Sequence, residues 1–254
     1  MTVKKIKALE LPEVNFSEDG VSRYLHLGTP WIQGAMNIKA PFELELEYIQ
    51  RMMAGLLFIN SPSISGLHTM QLGLGAASLT KFCYKKLRST CTAIELNPGV
   101  LHACRGWFKL PEDGPRMRVI IADASEEIQS AEWLGTVDLL HVDLYDHEAA
   151  APVLDSVGFY QNCRALLAEE GTMTVNLFGR SASYESSVAK MAEAFGEEAL
   201  WAFKPTREGN TVVLAQREAS RPSKDFLMGQ AESIENRFDL PATQWMRVFR
   251  PIVK

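Results

Sequence analysis

The stretch Val137-Asp-Leu-Leu-His-Val-Asp-Leu-Tyr-Asp146 constrains this chain more than any other. From Val137 to Val142 it is mostly apolar, as in a strand covered on both faces inside a parallel sheet. It then ends in two acids, Asp143 and Asp146, three positions apart. Such a strand puts charge at the carboxyl edge of the sheet, where open α/β sheets bind ligands. Two close carboxylates repel each other, and a cation between them relieves the repulsion. The competing reading of Asp146 is a helix cap for His147-Glu-Ala-Ala150.

The text around this strand alternates. Strands are expected at Thr69–Leu72, Cys91–Ile94, Val119–Ala122, Val137–Val142 and Thr172–Asn176. Helices are expected at Ser78–Leu87 with Ser78 as N-cap, Pro98–Phe108, Glu126–Trp133, Val157–Leu167 and Ser186–Phe195. Alternation of this kind is the mark of an α/β parallel sheet. Glu169-Glu-Gly171 reads as the stop of the fifth helix, and Leu200–Phe203 with Thr211–Ala215 as a closing strand pair. Before His68 the pattern differs. Arg23–Leu27 and Trp31–Ile38 alternate in part, with turns at Asp19-Gly20 and Gly28–Pro30, and a helix follows over Glu43–Leu57. Three parts are expected: residues 1–60 as an N-terminal β lobe plus helix, 61–218 as a Rossmann-like domain carrying the site, and 219–254 as a helical tail broken at Pro241.

Composition narrows the function classes. A net charge of −5 and a pI near 5.6 argue against a nucleic-acid partner and permit a cationic substrate. No apolar run reaches the ~18 residues that span a bilayer, and no apolar segment follows the charged start, so no membrane partner and a cytoplasmic location are expected. Cys83, Cys91, Cys104 and Cys163 lack metal-ligand spacing and read as buried free thiols, and no metal site is expected.

Three further strand ends carry chemistry. Gly73-Leu-Gly75 lies between a strand and a helix, where glycines let the backbone turn sharply and approach a ligand. It departs from the GxGxxG pattern at Ser78. Glu95 ends the next strand, about 20 residues on, where an acid suits the two hydroxyls of a ribose. Asp123-Ala124 ends the third, where an acid can accept from an adenine amino group beside an apolar wall. Together they describe a nucleoside cleft beside the acid pair.

The ordered set Gln71–Leu79, Ile94–Asn97, Ile121–Ala124, Asp138–Asp146 and Phe159–Gln161 resembles the polyamine aminopropyltransferases, spermidine synthase and its relatives. Gln33–Met36, Glu45–Met52 and Glu208–Ala215 add to the likeness, which covers roughly residues 20 to 217. The resemblance implies a class I methyltransferase-like (Rossmann-like) sheet with a small N-terminal β domain, in a family that often forms homodimers. It implies transfer of an aminopropyl group from decarboxylated S-adenosylmethionine to an amine such as putrescine, without a metal. By residue it implies Glu95 on the ribose, Asp123 with Ala124 at the adenine, and Gln33, Gly73 and Gly75 in the nucleoside pocket. Asp143 would take the proton of the attacking amine, and Asp146 and Tyr48 would hold that amine; Tyr145 is a further amine-binding candidate, read not from the resemblance but as a compensation for the departures that follow.

Three positions depart from the family pattern. Ala76 replaces an acid of the first loop, Ile49 follows Tyr48 where a glutamine is usual, and Pro205–Gly209 lacks an aromatic. These departures keep two alternatives open: a methyltransferase using S-adenosylmethionine on the same sheet, and a non-catalytic relative that binds a nucleoside.

Overall fold

The structure, a computed structural model, describes residues 11–59, 61–144, 154–178 and 181–253. Three strands form a small antiparallel sheet: β1 (Val14–Glu18), β2 (Ser22–Leu27) and β3 (Gly34–Asn37), in that order. β1 lies in the expected N-terminal β lobe, just before the expected turn at Asp19-Gly20, but has no expected bounds of its own. Its partners run from Val14 opposite Leu27 to Glu18 opposite Arg23, so the Asp19-Gly20 turn joins two paired strands. The third strand is shorter than expected. Trp31 and Ile32 are exposed, and pairing with β2 involves only Gly34 to Asn37.

The expected helix over Glu43–Leu57 is a six-residue α1 (Glu47–Met52) that tightens into a 3₁₀ segment, Met53–Phe58. The tighter turn brings Gly55 onto the sheet, where a side chain would collide with Thr172 and Leu139.

The main sheet has eight strands. Its parallel half follows the expected alternation: β4 (His68–Leu72), α2 (Ser78–Phe82), β5 (Thr90–Glu95), α3 (Pro98–Trp107), β6 (Met117–Ile121), α4 (Ala124–Glu127), β7 (Val137–Val142), α5 (Val157–Leu166) and β8 (Leu167–Phe178). Then come α6 (Ser181–Phe195), β9 (Leu200–Phe203), β10 (Asn210–Gln216), α7 (Lys224–Phe238), α8 (Ala242–Trp245) and β11 (Phe249–Pro251). The strand order is β11-β9-β10-β8-β7-β4-β5-β6. β6, β5, β4, β7 and β8 are parallel, and β10, β9 and β11 continue antiparallel.

β7 lies inside this sheet, buried on both sides. Leu139 belongs to the apolar core under α1 to α3, while Leu140 and Val142 belong to the core under α5 and α6. That is the reason for its continuous apolar text.

Several local expectations are corrected. Glu169 and Glu170 lie within β8 and are exposed, because a register shift between Val137 and Leu139 absorbs them into the ladder. The predicted helix over Glu126–Trp133 is split into α4 and a 3₁₀ turn at Ala131–Trp133, each with its own cap, Asp123 and Ser130. Ser78 does not cap α2. That position belongs to Ala77 in a left-handed conformation, and the Ser78 hydroxyl donates instead to Ala35 O of the small sheet at 2.8 Å. The tail is not all helix, since Phe249–Pro251 pairs with β9 and extends the sheet. The four cysteines are free and buried, and no described helix is long and apolar enough to cross a membrane.

Candidate active site

The carboxyl edge of the parallel strands brings the polar residues together. Across β8, β7, β4, β5 and β6 the strand ends present Asn176, Asp143, Gly73, Glu95 and Asp123 in spatial order. The ladder continues into this rim. Asp143 N donates to Leu72 O at 3.0 Å, Gly73 N to Ile94 O at 2.9 Å, and Ala122 N to Glu95 O at 3.0 Å. The chain reverses direction across the sheet at β4, which neighbours both β5 and β7, and such a switch point opens a crevice for ligands.

The glycine turn owes its shape to its neighbours. Gly73 has φ +83° and Gly75 φ +52°, conformations that side chains strain. A Cβ on Gly73 would collide with Asp143 O. Beneath the turn Gln71 acts as a brace. Its Nε2 donates to Gly73 O at 2.7 Å, and its Oε1 accepts from Thr80 Oγ1 at 2.6 Å and Thr80 N at 3.1 Å. From the far side Cys104 Sγ donates to Gly75 O at 3.1 Å.

Glu95 grips the same turn. Its Oε2 accepts from Leu74 N and its Oε1 from Asn97 N, both at 2.8 Å. Burial raises its pKa above the usual carboxylate value, and these backbone N–H groups oppose the rise. A carboxylate offers about four lone-pair sites, so acceptor capacity remains for hydroxyl groups of a ligand. Asp123 is exposed at the edge of this set. Its Oδ1 caps α4, accepting from Ser125 N at 2.8 Å and Ser125 Oγ at 2.7 Å, while Ala124 is buried in the core behind it.

Asp143 is partly buried at the end of β7 and is held at both oxygens. Asn176 Nδ2 donates to Oδ1 at 2.9 Å and Tyr48 Oη to Oδ2 at 3.3 Å. Burial raises its pKa, and the Asn176 and Tyr48 hydrogen bonds counteract the rise. A partly buried carboxylate held at both oxygens suits a general base.

Gln33, Tyr48, Gly75 and Asp143 line one small hollow together with Gly34, Ala76 and Ser78. The small sheet closes it closely. A Cβ on Gly34 would lie 2.6 Å from Ala76 N, and one on Gly75 would lie 3.0 Å from Gln33 O. Gln33 Nε2 is enclosed without a hydrogen-bond partner among the described residues, so a donor aimed at this hollow is in place.

Thus four of the residues singled out in the sequence share a hollow, Gly73 and Glu95 adjoin it through the turn, and Asp123 and Ala124 lie two strands away. Tyr145 and Asp146 fall outside the described residues. Gln71, Asn176 and Asn210 were not singled out as site residues. The signal for Asn176 is its place at the end of β8 beside the end of β7, which requires the strand order.

No family model matches the chain. It is 30% identical to a polyamine aminopropyltransferase of Chromobacterium violaceum over 232 residues, 91% of this chain and 86% of that one. It is 32% identical to the polyamine aminopropyltransferase of Neisseria meningitidis serogroup A over 232 residues, 90% of this chain and 86% of the other. Among solved structures, a probable spermidine synthase from Corynebacterium glutamicum has a TM-score of 0.73 at 20% identity, covering 86% of this chain and 83% of that one. Human methyltransferase-like protein 13, in complex with SAH, has a TM-score of 0.69 at 23% identity, with 77% and 93% covered. A spermidine synthase in complex with the transition state analogue AdoDATO has a TM-score of 0.64 at 14% identity, with 93% and 85% covered. These structures share the class I methyltransferase-like fold that the family resemblance implies. With the two curated relatives aligned along nine-tenths of its length, the chain belongs to the polyamine aminopropyltransferases, a family of transferases.

Proposed function

We propose that the protein transfers an aminopropyl group from decarboxylated S-adenosylmethionine to a small polyamine such as putrescine, with Asp143 as the base. The observation that carries this reading is the carboxylate of Asp143, held at both oxygens and facing the same hollow as Gln33, Tyr48 and Gly75. A free aliphatic amine is protonated in water, and neutralising one at pH 7 costs about 4.6 kcal/mol, taking a pKa near 10.4. A fixed carboxylate on the N–H offsets part of that cost as the C–N bond forms.

In this reaction the amine nitrogen attacks the propyl carbon attached to the sulfonium. The C–S bond breaks, its electron pair stays on sulfur, and neutral methylthioadenosine leaves. The positive charge passes to nitrogen, whose proton goes to Asp143. Glu95 would receive the ribose hydroxyls, and Asp123 with Ala124 would face the adenine. Gln33 Nε2 would donate within the nucleoside pocket, and Tyr48 would sit beside the amine while orienting Asp143. The family membership supports the reaction class, and the AdoDATO complex of a protein with this fold supports the nucleoside co-substrate.

The test is incubation of the purified protein with decarboxylated S-adenosylmethionine and putrescine. Methylthioadenosine should form, and Asp143→Asn should lower kcat by roughly 10²–10⁴-fold. Calorimetry with intact and decarboxylated donors separates this from methyl transfer. Tighter binding of the carboxylate-bearing donor, with no methylthioadenosine formed, would overturn the proposal.

A further inference from the structure

We infer that Asn210 is a positioning residue for the reaction, acting on Asp143 through the side-chain amide of Asn176. The inference rests on the reading of Asp143 as the base. A carboxylate only accepts hydrogen bonds, whereas an asparagine amide has a donating end and an accepting end. Asn176 therefore helps Asp143 only when its nitrogen, not its oxygen, faces the acid. Asn210 favours that choice. Its Nδ2 donates to Asn176 Oδ1 at 3.1 Å, which leaves Asn176 Nδ2 to donate to Asp143 Oδ1 at 2.9 Å. Three strands thus pass one hydrogen-bond polarity in sequence: β10 to β8 to β7.

Asn210 is itself fixed. It opens β10 opposite Phe178, its backbone N donates to Thr206 Oγ1 at 3.2 Å, and its carbonyl accepts from Thr206 N at 2.7 Å. Gly209, at φ +100°, closes this turn against the Phe178 ring, where a Cβ would lie 3.4 Å from a ring carbon. The segment Pro205–Gly209 presents Asn210 through these contacts. Tyr48 holds the other carboxylate oxygen, so the two partners together restrict rotation of the acid.

Two substitutions separate this role from simple packing. Asn210→Val removes the donor to Asn176 Oδ1. Asn210→Asp keeps the shape but supplies only acceptors, so Asn176 must turn its nitrogen toward residue 210 and its oxygen toward Asp143. Aminopropyl transfer should fall in the order wild type, Asn210→Val, Asn210→Asp, with kcat down roughly tenfold in the last and the KM for the amine nearly unchanged, well short of the ~10²–10⁴-fold expected for loss of the base.

The second readout needs no substrate. Titration of the Asp143 carboxyl by ¹³C NMR should move upward in both variants, further in Asn210→Asp, because a donor to the charged form has been lost. Melting temperature reports whether each variant is folded. An Asp143 titration that is the same in folded wild type and Asn210→Val, which adds no charge, overturns the relay, whatever the activity. Full transfer activity in Asp143→Asn would instead overturn the reading on which it rests.

Discussion

Glu95 on β5 receives the backbone N–H of Leu74, the middle residue of the Gly73–Gly75 turn, at 2.8 Å. One carboxylate therefore shapes the turn and, under the proposed function, would also receive ligand hydroxyls. Asn97 N occupies the second oxygen at 2.8 Å. Glu95→Gln cannot satisfy both, since its amide nitrogen must face one of the two N–H groups. Such a mismatch costs about 1–3 kcal/mol. The expected outcome is a lower melting temperature together with a loss of methylthioadenosine affinity of roughly tenfold or more, measured by calorimetry. Equal affinity in the variant would show that Glu95 serves the turn alone.

Tyr48 stands in the same relation to Asp143 as Asn176 does, from the opposite side. Its hydroxyl stabilises the charged carboxylate, while burial raises the pKa. The acidic limb of the pH–rate profile should therefore lie above the ordinary aspartate value of 3.8, with activity lost as pH falls through it. Tyr48→Phe removes a donor to the charged form, so the limb should move further up. At 3.3 Å the bond is long, and kcat/KM should fall only about tenfold. A limb that stays in place would mean that Tyr48 contributes shape and not charge.

The fold is most legible in the sequence where the signal is local and periodic. Apolar runs bounded by acids or glycines mark β4 to β8 and with them the α/β class. It is illegible where a distant contact decides. Gly55 tightens a helix because β8 lies beneath it, and Glu169 with Glu170 enter a strand because a bulge accommodates them. Phe249–Pro251 becomes a strand only because β9 has an open edge. The candidate site divides in the same way. Glycines, and acids at strand ends, announce themselves through conformation and charge. Asn176 and Asn210 do not, since an amide acquires its role from the neighbour it meets across the sheet.

His141, two residues before Asp143, makes stability depend on pH. Thr174 Oγ1 donates to Met52 O at 3.0 Å, so it accepts from His141 Nδ1 at 2.9 Å and fixes the neutral tautomer. Burial lowers the pKa of this histidine from 6.5 to about 4. Because the folded value is the lower one, the unfolded chain binds the extra proton. The stability is present above pH 6.5 and is lost as pH falls from there toward 4. At about 1.4 kcal/mol per pH unit, wild type should lose about 2 kcal/mol between pH 7 and 5 that His141→Leu does not lose. Urea unfolding at both pH values checks this. Glu95 and Asp143, with raised pKa values, act in the opposite sense, so the difference between the two proteins is the quantity to read.

Gly73 offers the sharpest contrast between two glycines. At φ +83°, with Asp143 O where its Cβ would stand and Leu144 Cδ2 3.2 Å away, Gly73→Ala must both strain its own backbone and displace that of Asp143. The conformational strain alone is about 1–3 kcal/mol. Gly106, exposed within α3, has nothing within 4 Å of its Cβ position and lies in ordinary helical space. Gly106→Ala should stabilise by about 0.5–1 kcal/mol, since alanine is the better helix former. Gly73→Ala should lower the melting temperature by about 5 °C or more and, under the proposed function, remove aminopropyl transfer, because Asp143 would be displaced from the amine it is proposed to deprotonate. The two variants, compared by melting temperature and by methylthioadenosine formation, should move in opposite directions in stability, and only the first should lose activity. An active, thermally unchanged Gly73→Ala would show that the turn and the acid are not mechanically joined.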